Sequence, residues 1–176
     1  MRSVSRFIEK RLKLKVNTTK SAVAPARGRK FLGFNFGTGR IPLRAVAEES
    51  IQRFRARVRE LTGRSQGRSI EVVVNRLAKY LRGWVGYFGF AEIRTVFQVL
   101  DSWIHRRLRS LLWKQWGRRG RYRELRRRRV SQDLARSLVK SCHGPWRLAR
   151  TKAINIALPT SYLLSLGLPQ LATVRN

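Results

Sequence analysis

Apolar positions change their period near residue 44, and the change divides the chain into two expected parts. Before it, Phe7, Ile8, Leu12 and Leu14 alternate with basic residues, so residues 1–16 read as the end of a helix. Val16 to Ser21 breaks that pattern. Ser21 to Val23 reads as a short strand and Pro25 to Lys30 as a basic turn. Phe31-Leu32-Gly33-Phe34-Asn35-Phe36 alternates like a strand and is closed by Gly37 and Gly39, so residues 1–43 are expected to hold a helix end and a β-hairpin. Ile41-Pro42-Leu43 is expected to be extended, because a proline disfavours helix in the residue before it.

From Arg44 onward the spacing is helical. Ile51, Phe54, Val58 and Leu61 step by three and four, with Arg53, Arg55, Arg57 and Arg59 on the flanks, and Gly63 ends the helix. A loop at Ser65-Gln66-Gly67 leads to Ser69, a suitable N-cap. The next stripe, Ile70, Val73, Val74, Leu77, Leu81, Trp84, Val85 and Phe88, is the strongest helix signal in the chain. Gly83, Gly86 and Gly89 recur every third residue, a spacing that permits close helix packing. A third helix is expected from about Glu92 to Trp116, with Ile93, Val96, Phe97, Leu100, Ile104, Leu108, Leu111 and Leu112 as its stripe. Ser131 is placed to cap a helix bearing Leu134, Leu138 and Val139. Gly144-Pro145 is a break, Trp146 to Leu158 is expected to be helical, and Gly167 to Pro169 is a turn. The fold class is therefore mainly α with a small N-terminal β element, divided as 1–43 and 44–176.

Charge changes this picture more than composition does. Of 176 residues, 43% are hydrophobic, enough for a packed core, yet 40 Lys and Arg face nine Asp and Glu, for a net charge of +31. Self-repulsion on that scale opposes a compact monomer and points to a polyanionic partner, with nucleic acid ahead of an anionic membrane surface. Arginine outnumbers lysine 31 to 9, and guanidinium forks bind phosphate bidentately and stack on bases. Residues 118–129 hold eight arginines, which repel one another without a counter-anion, though a solvated face or loop is the plainer alternative. The candidate RNA contacts are Arg57, Arg59, Arg64, Arg68, Arg82, Arg106, Arg107, Arg109 and Lys114, with Arg118, Arg119, Arg121, Arg123, Arg126, Arg127, Arg128 and Arg129 of the tract. Trp84 lies on a core stripe, whereas Trp103, Trp113 and Trp116 stand near basic residues and are open between helix packing and base stacking.

The same inventory excludes much chemistry. One cysteine, Cys142, leaves no intramolecular disulfide, and with only His105 and His143 no structural zinc site is expected. Cys142 and His143 are adjacent, but no third orienting group accompanies them, so a loop is the better reading. No apolar run reaches the roughly 20 residues needed to span a bilayer. The N-terminus has no signal-peptide core, so an intracellular setting is expected, cytoplasmic or organellar. The acids are scattered, with only two aspartates, so a two-metal phosphoryl-transfer site is not expected. Gly63 and Gly67 are not followed by the Lys-Ser/Thr of a phosphate-binding loop. No catalytic residue, metal or cofactor is expected.

Particular blocks carry a family resemblance. Leu14-Lys15-Val16-Asn17 with Lys20-Ser21, then Phe31-Leu32-Gly33-Phe34, resembles the end of the palm in group II intron reverse transcriptases. Arg57 to Thr62 with Arg64-Ser65, Leu81-Arg82-Gly83-Trp84-Val85-Gly86-Tyr87-Phe88, Leu100-Asp101-Ser102-Trp103-Ile104 with Arg106 to Arg109, and Leu112-Trp113-Lys114-Gln115-Trp116 are together similar to that family's maturase-specific domain, also called domain X or the thumb. The family's Tyr-Ala-Asp-Asp polymerase turn has no counterpart, nor do its fingers, most of its palm or its downstream endonuclease. The resemblance therefore implies a palm remnant (1–43) followed by a maturase domain (44–176) that binds structured intron RNA and assists splicing without catalysing it. Alternatives are the thumb and primer-grip half of a split reverse transcriptase, partnered by a separate palm and fingers polypeptide, or a truncated mobile-element remnant without function. The palm-derived phenylalanines imply an unpaired strand edge, so residues 1–40 are expected to be poorly ordered or held by another chain.

Overall fold

The computed structural model describes residues 2–17, 19, 21, 23, 25, 28–41, 43–65 and 67–173. The element order is α1 (Arg2–Arg11), β1 (Lys30–Phe31), β2 (Phe34–Phe36), β3 (Arg44–Val46), α2 (Glu48–Leu61), α3 (Ile70–Phe88), α4 (Thr95–Gln115), α5 (Gly117–Arg127), α6 (Gln132–Lys140), α7 (Pro145–Leu148), α8 (Lys152–Ala157) and α9 (Thr160–Ser165). The chain is mainly helical, with one small antiparallel sheet near the N-terminus, as the pattern predicts.

The sheet differs in detail from the expectation. Phe31 to Phe36 is not one strand but two, reversed at Leu32-Gly33, where both residues have positive φ (50° and 81°). Two left-handed residues in a two-residue loop match the twist of antiparallel strands. A third strand, β3, pairs beyond them in register Phe34↔Val46 and Phe36↔Arg44, so Arg44 to Val46 is extended, not helical. The turn is pinned from within the chain. Ala47 N–H and Ser50 Oγ–H donate to the Gly33 carbonyl, and Tyr87 Oη–H donates to the Leu32 carbonyl at 2.9 Å. A Cβ on Gly33 would lie 3.0 Å from Ser50 Oγ and 3.2 Å from the Phe88 ring, so glycine is required there by space as well as by φ. The hairpin turn is thus bonded to α2 and α3 of the same chain, while Phe31 and Leu32 remain exposed. Helix α1 buries none of its residues. Ser21 and Val23 carry no strand, and Ala22, Pro42 and Gln66, on which parts of the sequence reading fall, lie outside the described residues.

Helix α3 follows its stripe: all eight predicted positions are buried, and Ser69 Oγ accepts the Val72 N–H. Gly83 and Gly86 are a correction. They lie on the exposed face, and a Cβ at either would meet nothing within 4 Å, so they permit no close helix contact. Helix α4 begins at Thr95 rather than Glu92, because Glu92 is used elsewhere. Its carboxylate accepts the Arg44 N–H at 2.6 Å, and its N–H donates to the Arg44 carbonyl, joining the α3–α4 turn to β3. Ile93 therefore falls outside the helix and is exposed.

One continuous core joins all of this. Phe54, Trp84 and Phe88 form an aromatic row that reaches Phe34 of the sheet and Phe97 of α4. Trp113 is fully buried, which settles it as core. In α6 the buried positions are Ala135 and Leu138, while Leu134 is exposed. The expected helix from Trp146 to Leu158 is instead two short ones. Thr151 turns the chain between them, its Oγ1–H donating to the Leu148 carbonyl at 2.7 Å.

Candidate nucleic-acid interface

Helix α4 buries one side in the core and presents Arg106, Arg107 and Lys114 away from it, with half-buried Trp103 packed at the edge of the core. Across from these lie the end of α2, the following loop and the C-terminal segment. Arg107 Nε–H donates to Thr62 Oγ1 at 2.7 Å, at the C-cap of α2, where orphan carbonyls favour a cation. Arg64 reaches Ser110 Oγ at 3.4 Å, and Lys114 Nζ reaches Ser65 Oγ at 3.3 Å. On the other side, Arg106 donates twice to the Trp146 carbonyl, at 3.1 and 3.0 Å, and its guanidinium stacks 3.9 Å from the Trp146 ring centroid.

Between these elements run three adjoining cavities. The central one, of about 300 Å³, is lined by Arg59, Arg64, Trp103, Arg107, Ser110 and Trp146. A second, of about 500 Å³, shares Arg64 and extends past Arg68 and Ser69 to Gln115. A third, of about 340 Å³, shares Trp103 and extends past Arg106 and Arg109 to Arg150 and Asn155. Along α4 this track runs from Ser102 to Gln115, about 20 Å at the helical rise.

Its charged lining is mostly basic, with Glu71 of the second cavity as the carboxylate among the described lining residues. No carboxylate lies within ion-pair distance of Arg59, Arg64 or Arg107 among the described residues. Burial, and then the charges of Arg59 and Arg64, lower the pKa of Arg107. Burial and then Arg150 do the same to Arg106. The guanidiniums stay charged, so their mutual repulsion is a cost that an anion in the track would relieve.

The predicted contacts divide into two kinds. Several are committed inward. Arg106 holds Trp146, Arg109 donates to the Leu158 carbonyl at 2.8 Å and Arg121 to the Trp113 carbonyl at 3.3 Å, while the exposed Arg126 bonds the Val130 carbonyl close by at 2.7 Å. Arg128 reaches the Ala157 carbonyl and stacks on Tyr162. The 118–129 tract is not a loop but helix α5 and its end, with Arg118, Arg119, Arg123, Arg126, Arg127 and Arg129 exposed. Arg57 pairs with Glu60 at 2.6 Å, and Arg82 stands apart on α3 beside Gly83 and Gly86. Trp116 is half-buried against Trp113. Among the described residues, no three His, Cys, Asp or Glu come together as a metal site, and no helix is long and apolar enough to cross a membrane. Cys142 is exposed in the loop before α7.

Residues 51–129 match the family model for the group II intron, maturase-specific domain. That stretch is similar to a maturase-specific domain. No curated protein matches the chain. The maturase-specific stretch contributes most of the basic track, including Arg59, Arg64, Trp103, Arg106 and Arg107. The walls are completed from beyond it by Trp146, Arg150 and Asn155, which the residue-by-residue reading of contacts omits. Their signal was an aromatic–basic cluster directly after Gly144-Pro145. Nothing in the local pattern tells that it folds back onto Arg106, forty positions earlier.

A second surface is apolar. Phe31, Leu32, Phe34, Phe36, Tyr87 and Phe90 surround a cleft of about 300 Å³ between the sheet and α3, with Gly86 and Arg44 also at its wall. Phe34 stacks on Tyr87 at 6.0 Å and packs on Phe88 at 5.2 Å, so the Phe-Leu-Gly-Phe and Tyr-Phe motif blocks touch.

Proposed function

We propose that this protein binds structured group II intron RNA through the α4 track and the exposed arginines of α5, and that it assists splicing while the RNA performs the chemistry. The observation that carries this is a continuous basic track whose central and third cavities are lined, among the described residues, by no carboxylate and are walled by half-buried tryptophans, built largely from the maturase-specific residues. Phosphates meet guanidiniums along it, and unpaired bases meet indole faces. The protein would act by electrostatic capture and by holding the folded RNA in its active arrangement. Splicing of a group II intron at limiting magnesium tests this. Addition of the protein should raise the rate, and an Arg59→Glu/Arg64→Glu variant that still folds should not. Equal stimulation by both proteins would contradict the assignment of the track.

The apolar cleft favours a second reading. Phe31 is 65% exposed, Leu32 66% and Phe90 55%, an apolar grouping that suits another polypeptide rather than RNA. In that reading the chain is the thumb and primer-grip half of a split reverse transcriptase. Co-purification of the chain with a partner bearing the polymerase aspartates supports it, and recovery of the chain alone from its native cell counts against it.

A further inference from the structure

The middle cavity of the track, like the third, gathers three guanidiniums beside Trp103, and of the three cavities it is the one that both Trp103 and Trp146 line. Three guanidiniums, of Arg59, Arg64 and Arg107, converge on it without a carboxylate. Arg59 and Arg107 stand 5.8 and 5.3 Å from the Trp103 ring centroid, near enough to attract its face but well short of covering it as Arg106 covers Trp146 at 3.9 Å. Trp103 is half-buried and borders this cavity and the third one. The buried Ser110 hydroxyl lies at the wall. At about 300 Å³ the space is at the small end of ligand cavities, too small for a helix of nucleic acid.

We infer that this cup takes a single unpaired nucleotide of a bound RNA, its phosphate among Arg59, Arg64 and Arg107 and its base against Trp103. The inference rests on the RNA-binding reading and deepens it. A nucleotide within a paired helix keeps its base stacked and cannot enter the cup, whereas a bulged or looped-out one can. The guanidinium cluster supplies affinity for any phosphate, and the indole supplies the preference for a phosphate that carries a free base. The cup therefore makes the domain a reader of extruded nucleotides in otherwise helical RNA.

The test compares three RNA duplexes of one sequence: fully paired, with one unpaired uridine, and with an abasic residue at the same bulge. Base–aromatic stacking leads us to expect the uridine bulge to bind about 10-fold tighter than the paired duplex, and the abasic bulge to lose most of that gain. Trp103→Leu should abolish the preference, so that the uridine-bulged and the paired duplex bind it alike. Trp103→Phe, which keeps a ring, should retain it, and this guards against a variant that merely misfolds. Equal affinity for all three duplexes, or an undiminished preference in Trp103→Leu, would overturn the cup while RNA binding stands. An abasic bulge that binds as well as the uridine bulge would reduce the cup to a phosphate site and overturn the role given to Trp103. Failure of the unaltered protein to bind any of the three would bring down the RNA-binding reading as well.

Discussion

The Asp101 carboxylate is bonded to the Leu171 amide, 70 positions later in the chain, at 3.0 Å, and its other oxygen accepts the Ala172 N–H at the same distance. Arg94 holds the Ala172 carbonyl at 3.2 Å, so the segment after α9 is fastened to α4 from both its donors and its acceptors. Leu171 is fully buried there. An aspartate in the helix of a chain rich in arginine is thus spent on backbone amides, away from the basic track.

Asp101→Asn should destabilise the protein, because an amide can accept from one of the two N–H groups but opposes the other with its own. A lost charge-assisted bond with a donor left unmet is worth about 1–3 kcal/mol. Urea unfolding measures the loss, and amide exchange should quicken first at Leu171 and Ala172. Unchanged stability would show that the segment is held by apolar contact alone.

One turn from Asp101, His105 is buried, and its Nε2 has no hydrogen-bond partner. Burial, and then the charge of Arg109, lower its pKa from 6.5 to about 4. The unfolded chain takes up the proton near 6.5 and the folded chain only near 4, so stability falls as pH drops through that window. The total loss is about 3 kcal/mol. Asp101 is shifted the other way: burial raises its pKa, so its own contribution is present at low pH and lost as pH rises through the folded value. His105→Leu should therefore lose less stability than the unaltered protein between pH 7 and pH 4.5. Parallel losses in the two proteins would contradict the assignment.

The arginines that hold the fold and those that face solvent should separate experimentally. Arg106→Lys keeps the charge but loses the paired hydrogen bonds to the Trp146 carbonyl and the stacked plane, a cost of about 1–2 kcal/mol. Replacing Arg118, Arg119, Arg123 and Arg127 together by alanine should leave thermal stability nearly unchanged and flatten the salt dependence of RNA binding by about 3 in log–log slope. The reverse pattern would show that α5 is structural and Arg106 is the contact.

Helix α5 ends with the paired bonds of a Schellman turn: Val130 N–H to the Leu125 carbonyl and Arg129 N–H to the Arg126 carbonyl, both at 3.1 Å. Leu125 and Val130, the apolar pair that accompanies such a turn, are both fully buried. The left-handed position, where glycine is usual, is Arg129 with φ 61°. Arg129→Gly should raise stability by about 1 kcal/mol and weaken RNA binding by removing one exposed cation. A variant less stable than the parent would mean that Arg129 is anchored by contacts of its own.

Most of the helical frame was legible because burial imposes its period directly. The α3 stripe from Ile70 to Phe88 needed only spacing and a serine cap. What escaped depends on partners distant in the chain. Thr95 starts α4 because Glu92 is drawn to Arg44, and α7 and α8 separate where the chain folds back so that Trp146 and Leu158 offer carbonyls to Arg106 and Arg109. The charge pattern alone could not sort the arginines, since a guanidinium bonded to a carbonyl and one facing solvent read alike. Gly83 and Gly86 misled for the same reason: spacing tells that they share a face, not that the face is bare.

The central claim is that the basic track recognises folded intron RNA and does not merely attract polyanions. Affinity for a folded group II intron RNA, set against an unrelated RNA of equal length over a salt series, tests it most directly. Neutralising about ten phosphates gives a log–log slope of about −7 for the charge-driven part. The account predicts tighter binding to the intron that persists at high salt. Equal affinities that collapse together as salt rises, or a slope shallower than about −2, would contradict it.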